Sequence, residues 1–199
     1  MASGGCVVIV DNHDSFTWNI VDEFACRGAA VKVVSNRMEA AGVIAKAGGR
    51  GAGLLIISPG PGSPADAGCS AAVVLAAEAL RIPLLGICLG LQVLVEALGG
   101  RVSRSGRPVH GRPSTIHHDG GAPFDNLPSP LLAGRYHSLA AVSLPPTLRQ
   151  TASSGGVVMA VRHTSAPMIG VQFHPESILT TEGGRIMANV LDWSRRVAV

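Results

Sequence analysis

The pattern of apolar and polar positions changes period along the chain. Cys6-Val7-Val8-Ile9-Val10, Val31-Lys32-Val33-Val34, Leu54-Leu55-Ile56-Ile57 and Met168-Ile169-Gly170-Val171-Gln172-Phe173 are short, mostly apolar runs rich in β-branched residues. All four read as strands, and the first and third, which contain no polar position, as strands buried on both faces. Between them the spacing becomes helical. Phe16, Ile20 and Phe24 share one helix face, with Asp14 or Ser15 as cap and Gly28 as stop. A weaker helix is predicted near Glu39 to Lys46, followed by a glycine-rich loop to Gly53, and a further helix over Ser70 to Leu80. Strand, helix, strand in succession predicts a parallel α/β sheet with right-handed crossovers, whose ligands bind beyond the carboxyl ends of the strands.

After Gly100 the texture shifts. Residues 101–165 are rich in Gly, Pro and Ser, with short strands predicted near Ser114-His117, Ala140-Leu144, Leu148-Ala152 and Val157-Arg162, so this half reads as antiparallel or mixed. Thr180-Thr181-Glu182 reads as the cap of a last helix whose Ile186, Val190 and Trp193 dock on the sheet. No linker or internal repeat divides the chain, and disorder is expected only in its first few residues; residues 1–199 read as a single domain.

Composition adds little beyond exclusions. With 199 residues and 47% hydrophobic content the chain can build a large core. No apolar run approaches the ~20 residues needed to span a bilayer, and no leader-like N-terminus is evident, so a soluble cytoplasmic protein is expected. Four cysteines without CxxC spacing argue against a zinc site or a disulfide framework. The net charge of +3 comes from a basic set that is almost all arginine, which does not point to a nucleic-acid surface.

Three stretches carry chemistry. In Pro83-Leu84-Leu85-Gly86-Ile87-Cys88-Leu89-Gly90-Leu91-Gln92 an apolar run delivers Cys88 between two glycines, and a helix follows to Gly99-Gly100. This is the Gly-x-nucleophile-x-Gly pattern of a strand-to-helix elbow, in which the helix N-terminus favours a thiolate. An elbow residue is expected to be presented rather than buried. The second stretch, Ser58-Pro59-Gly60-Pro61-Gly62-Ser63-Pro64, is a loop stiffened by proline whose glycines leave backbone N–H groups bare for an oxyanion or carboxylate. In the third, His174-Pro175-Glu176, an extended backbone would point the imidazole and the carboxylate the same way, supplying a base and the group that orients it. His117-His118-Asp119 reads as a solvated strand edge rather than a metal site.

Taken together these motifs resemble the class I, triad-type glutamine amidotransferases. Asp11-Asn12-His13-Asp14-Ser15-Phe16-Thr17, Ser58-Pro59-Gly60-Pro61-Gly62, His110-Gly111-Arg112, Arg135-Tyr136-His137-Ser138-Leu139 and Gln172-Phe173-His174-Pro175-Glu176-Ser177-Ile178-Leu179-Thr180 look like the signature set of anthranilate synthase component II and of the related glutaminase component of 4-amino-4-deoxychorismate synthase. The resemblance runs from residue 7 to about residue 193. It implies a flavodoxin-like, mixed but mostly parallel sheet flanked by helices. It makes Cys88 the nucleophile, His174 the general acid/base and Glu176 its orienting carboxylate. Glutamine contacts fall to Gly60, Pro61, Gly62, Leu89, Gln92, Ser138 and Leu139, with the Leu89 N–H as an oxyanion donor.

The same resemblance implies no cofactor or metal in this chain, and magnesium in a chorismate-utilising component I with which it forms a heterodimer or heterotetramer. Arg104, Arg107, His110 and Arg112 are the candidate contact to that partner. Anthranilate is the expected product of the complex; aminodeoxychorismate, for folate, or service to both enzymes is the alternative. Another γ-glutamyl cysteine hydrolase, or a non-catalytic regulatory subunit, would keep the fold and change the chemistry. Three positions depart from the family's usual residues: Leu91 where histidine or methionine is common, Arg112 where lysine is, and Trp18 where tyrosine or phenylalanine is.

Overall fold

The computed structural model describes residues 6–49 and 53–198, and all side chains within them except that of Arg107. The first few residues and part of the glycine-rich loop before Gly53 lie outside the described residues. Five parallel strands form one half of a sheet: β1 (Val7–Asp11), β2 (Val31–Ser35), β3 (Leu54–Ile57), β4 (Leu84–Ile87) and β9 (Met168–Val171). Four antiparallel strands complete it: β5 (Arg101–His118), β6 (Leu131–Ser143), β7 (Leu148–Ser154) and β8 (Val157–His163). The strand order is β2-β1-β3-β4-β9-β8-β7-β5-β6. This is the mixed, flavodoxin-like α/β sheet that the sequence predicts.

Period-2 alternation sends each buried strand's side chains to opposite faces. Val7 and Ile9 of β1 and Leu54 and Ile56 of β3 join Ile20 and Phe24 of α1 (Thr17–Ala25) and Ile186 and Val190 of α5 (Gly183–Val197) in one apolar layer. Val8, Val10, Leu55 and Ile57 join α2 (Ala40–Ala47), α3 (Ser70–Leu80) and α4 (Leu89–Ala97) in the other. Continuous apolar strands therefore fit a sheet covered on both sides.

Several local expectations need correction. β5 and β6 are 18 and 13 residues long, far longer than the short strands predicted there. They form an antiparallel ribbon with register shifts between Arg104 and Val109 and between His110 and Arg112, joined to β7 by only two residue pairs. Bulges and exposed arginines interrupt the alternation that would have marked them. β9 ends at Val171, before Gln172. The expected caps hold only in part, Glu182 standing at the N-cap of the last helix as expected but without a side-chain bond. Neither α1 nor α5 has a side-chain cap, and their N-cap residues are Phe16 and Glu182. Asp14 accepts from the Phe16 N–H at 2.7 Å instead, and the Thr180 hydroxyl bonds the His174 carbonyl.

Candidate active site

The carboxyl ends of β1, β3, β4 and β9 lie side by side, and each runs into one of the singled-out stretches. Beyond β4 comes Cys88, whose N–H still bonds the Val171 carbonyl at 2.8 Å while its own carbonyl accepts the Gln92 N–H of α4 at 3.2 Å. A change from strand to helix across one residue forces φ +52°, ψ −102° there, a conformation costing a non-glycine residue ~1–3 kcal/mol. Close approach explains the flanking glycines. A Cβ on Gly86 would lie 2.4 Å from the Gly90 carbonyl oxygen, and one on Gly90 would lie 2.2 Å from that of Ile57. Cys88 is only 6% exposed, so the elbow does not present it to solvent as expected; it sets the sulfur in the wall of a cavity.

His174 and Glu176 follow β9, in a turn rather than an extended segment. The Ser177 N–H bonds the His174 carbonyl at 3.2 Å, with Pro175 in the second position that its fixed φ suits. The turn still brings His174 Nδ1 to 2.6 Å from Glu176 Oε1, with both side chains buried. Thr180 Oγ1 donates to the His174 carbonyl at 2.6 Å and accepts the Gly134 N–H, tying the turn to β6. Phe16 and Tyr136 pack on the imidazole at ring-centroid distances of 5.1 and 5.0 Å. Burial alone would lower the pKa of His174, since it penalises the cation. Cys88 beside it and the Glu176 carboxylate outweigh that burial and raise it. The arrangement favours imidazolium next to sulfur, the state from which a thiolate attacks and a proton is handed on.

A cavity of ≈ 170 Å³ opens at the sulfur, lined by Gly60, Pro61, Gly62, Cys88, Leu89, Gln92, His110, Tyr136, His137, Ser138 and Leu139. All seven residues expected to contact glutamine are among them. Leu89 is the first residue of α4, so its N–H has no acceptor within the helix. The Pro-Gly loop is held by Asn12, which donates from its backbone and from Nδ2 to Ser58 at 2.9 and 3.1 Å and accepts from Asn36 and Ser70. Gln92 Nε2 donates to the Leu139 carbonyl at 3.1 Å and to Gln172 Oε1 at 3.3 Å.

Four further residues join the site without a role predicted from sequence. Gln172, Arg135, Tyr136 and His137 stand in the recognised stretches, and nothing in their spacing says that they converge. His137 is buried against Arg135, and that burial together with the neighbouring positive charge pushes its pKa down to about 4. Leu91, the departure beside the elbow, faces away from the cavity; it is fully buried in the apolar layer with Val161 and Met168. Among the described residues no group of three or more His, Cys, Asp or Glu side chains is placed to hold a metal, and no helix is long and apolar enough to cross a membrane.

Known proteins resemble this chain over nearly all of its length. The chain is 40% identical over 188 residues to anthranilate synthase component 2 of Vibrio parahaemolyticus, covering 94% of this chain and 95% of that one. To the component 2 of Mycobacterium tuberculosis it is 45% identical, covering 93% and 81%. It is also 44% identical to an aminodeoxychorismate synthase of Streptomyces griseus, covering 95% of this chain and 26% of that longer protein. The fold matches the crystal structure of a candidate GMP synthase subunit from Thermoplasma acidophilum, with TM-score 0.86 over 98% of this chain and 96% of that one, at 23% identity. Residues 8–193 match the family described as glutamine amidotransferase class-I, and the chain therefore belongs to the class I glutamine amidotransferases.

Proposed function

We propose that this chain is the glutaminase subunit of an anthranilate synthase, a single cytoplasmic domain that releases ammonia from L-glutamine and passes it to a chorismate-utilising partner. The observation that carries this reading is that Cys88 and the Gly60 loop share the wall of one small cavity while the His174–Glu176 pair, 2.6 Å apart, is buried beside Cys88. The Cys88 thiolate attacks the side-chain carboxamide carbon. The resulting oxyanion is held by the Leu89 N–H and the backbone of the Gly60 loop, an interaction class worth ~3 to 4 kcal/mol per donor. Collapse breaks the C–N bond as His174 gives its proton to the departing ammonia, leaving a γ-glutamyl thioester. Water, deprotonated by His174, attacks the thioester; glutamate leaves and the thiol is restored.

Ammonia in bulk water at neutral pH is mostly ammonium and unreactive, so the acceptor site must be joined to this one. A second cleft, lined by Gly62, Ser63, Asp66, Arg104, Ser105, Pro108, Ser138 and Leu139, shares three residues with the first. We assign this side, with exposed Arg104 and His110 in the two linings and exposed Arg112 further along β5, to the partner; the side chain of Arg107, also expected there, lies outside the described residues. Arg112→Glu should weaken complex formation at least tenfold by gel filtration or calorimetry, and undiminished binding would remove that assignment.

The Streptomyces griseus relative supports a second reading, in which the partner makes aminodeoxychorismate. Copurification followed by an assay of chorismate conversion separates the two. The glutaminase reading itself is tested by Cys88→Ser in the complex. Glutamine-dependent product formation should vanish while ammonia-dependent formation persists; retention of glutamine-dependent activity would refute it.

A further inference from the structure

Gln172 directly follows β9 and is fully buried, with Nε2 at 3.7 Å from Cys88 Sγ. No role falls to it in the reaction above. A primary amide can face sulfur with either end, and the neighbouring groups decide which. Gln92 Nε2 carries two hydrogens; one goes to the Leu139 carbonyl and the other to Gln172 Oε1. Gln172 therefore uses its oxygen as acceptor and turns its NH₂ to the sulfur. Flipping it would set amino group against amino group and carbonyl oxygen against a sulfur anion.

Gln92 is fixed in turn from β6. Arg135 Nε can only donate, and it does so to His137 Nε2 at 3.0 Å. His137 is thereby left with its proton on Nδ1, which donates to the Leu139 carbonyl at 2.8 Å. That carbonyl receives two donors, from His137 and Gln92, and Leu139 itself lines the cavity. Arg135, His137, Gln92 and Gln172 are all at most 4% exposed, so water does not compete along the chain.

We propose that Gln172 is a further catalytic residue, whose amide N–H holds the Cys88 sulfur in its anionic form, and that His137 and Arg135 are positioning residues that fix the direction of that amide through Leu139 and Gln92. This rests on Cys88 being the glutaminase nucleophile. One wall of the cavity and the sulfur then form a single hydrogen-bonded unit, and a side chain outside the cysteine, histidine, glutamate set tunes the nucleophile.

The test is the pH profile of iodoacetamide alkylation of Cys88 in the full chain, followed on the Cys88-containing peptide by mass spectrometry. It needs neither glutamine nor partner, so its outcome is independent of the Cys88→Ser experiment. Gln172→Leu should move the alkylation midpoint alkaline by about one pH unit and lower glutaminase kcat roughly tenfold with KM nearly unchanged, the loss expected for one hydrogen bond to a charged acceptor. Gln172→Glu, isosteric but with an acceptor in place of the donor, should move the midpoint further. Circular dichroism selects folded variants, and should the leucine variant not fold, the glutamate variant carries the comparison. A folded variant with the wild-type midpoint would overturn the proposal.

Discussion

Replacing Gly90 by alanine tests whether the elbow is set by close packing of backbone. The added Cβ would lie 2.2 Å from the Ile57 carbonyl oxygen and 3.0 and 3.1 Å from the Ile57 carbonyl carbon and Cβ. Contacts under 3.0 Å require movement, so α4 and β3 must separate by roughly 0.8 Å at this point. Ile57 belongs to a strand buried on both faces, and a backbone carbonyl cannot rotate aside as a side-chain tip can. Alanine in a helix is worth ~1 kcal/mol over glycine, whereas overpacking costs ~1–3 kcal/mol and here falls at the upper end. A net loss of ~1–2 kcal/mol should lower Tm by roughly 2–8 °C in a chain of this size. Activity should suffer more. Gly90 is two residues from Cys88, and a displacement on the order of 1 Å at a reacting centre costs ~10²-fold in kcat. Scanning calorimetry and glutaminase kinetics measure both effects. Gly106→Ala, exposed and with nothing within 4 Å, is the control and should change stability by less than ~0.5 kcal/mol. Wild-type Tm and kcat in Gly90→Ala would refute the reasoning.

Two further outcomes follow from the buried titratable groups. Glu176→Gln removes the carboxylate that, together with Cys88, holds His174 protonated and that fixes its ring, and kcat should fall by ~10²–10⁴-fold while the chain stays folded; a loss below tenfold in glutamine hydrolysis would show that Glu176 does not orient the base. In the folded chain His137 is held down to about 4, so below its ordinary value of 6.5 the unfolded chain binds a proton that the folded one does not. Stability should therefore fall by about 3 kcal/mol as pH drops from 6.5 to 4. The raised pKa of His174 acts oppositely, its contribution being lost as pH rises above the unfolded value. Urea denaturation across this range should show the acid slope flattened in His137→Gln; equal slopes in the two proteins would count against a neutral buried His137.

Much is legible in the order of residues alone. The β-branched runs Val7 to Val10, Leu54 to Ile57 and Met168 to Val171 announce strands because burial on both faces admits no polar position. Glycines flanking Cys88 announce the elbow because no larger residue tolerates the approach of Gly86 to Gly90 and of Gly90 to Ile57. Local chemistry of this kind is written in adjacent residues. The long β5–β6 ribbon is not, since its bulges and exposed arginines break the alternation on which a strand is recognised.

What only the tertiary structure decided is where side chains from distant strands meet and which way they point. His174 and Glu176 pair through a turn rather than along an extended strand, because Ser177 closes a hydrogen bond back to His174. Cys88 is buried rather than presented, because the Gly60 loop, Leu89 and the β6 wall enclose it. Gln172 turns its amide to the sulfur only because Gln92, Leu139, His137 and Arg135, drawn from α4 and β6, leave it no other orientation. The sequence supplies residue types and local backbone geometry; the direction of a buried hydrogen bond depends on the partners at both of its ends, and packing alone brings those together.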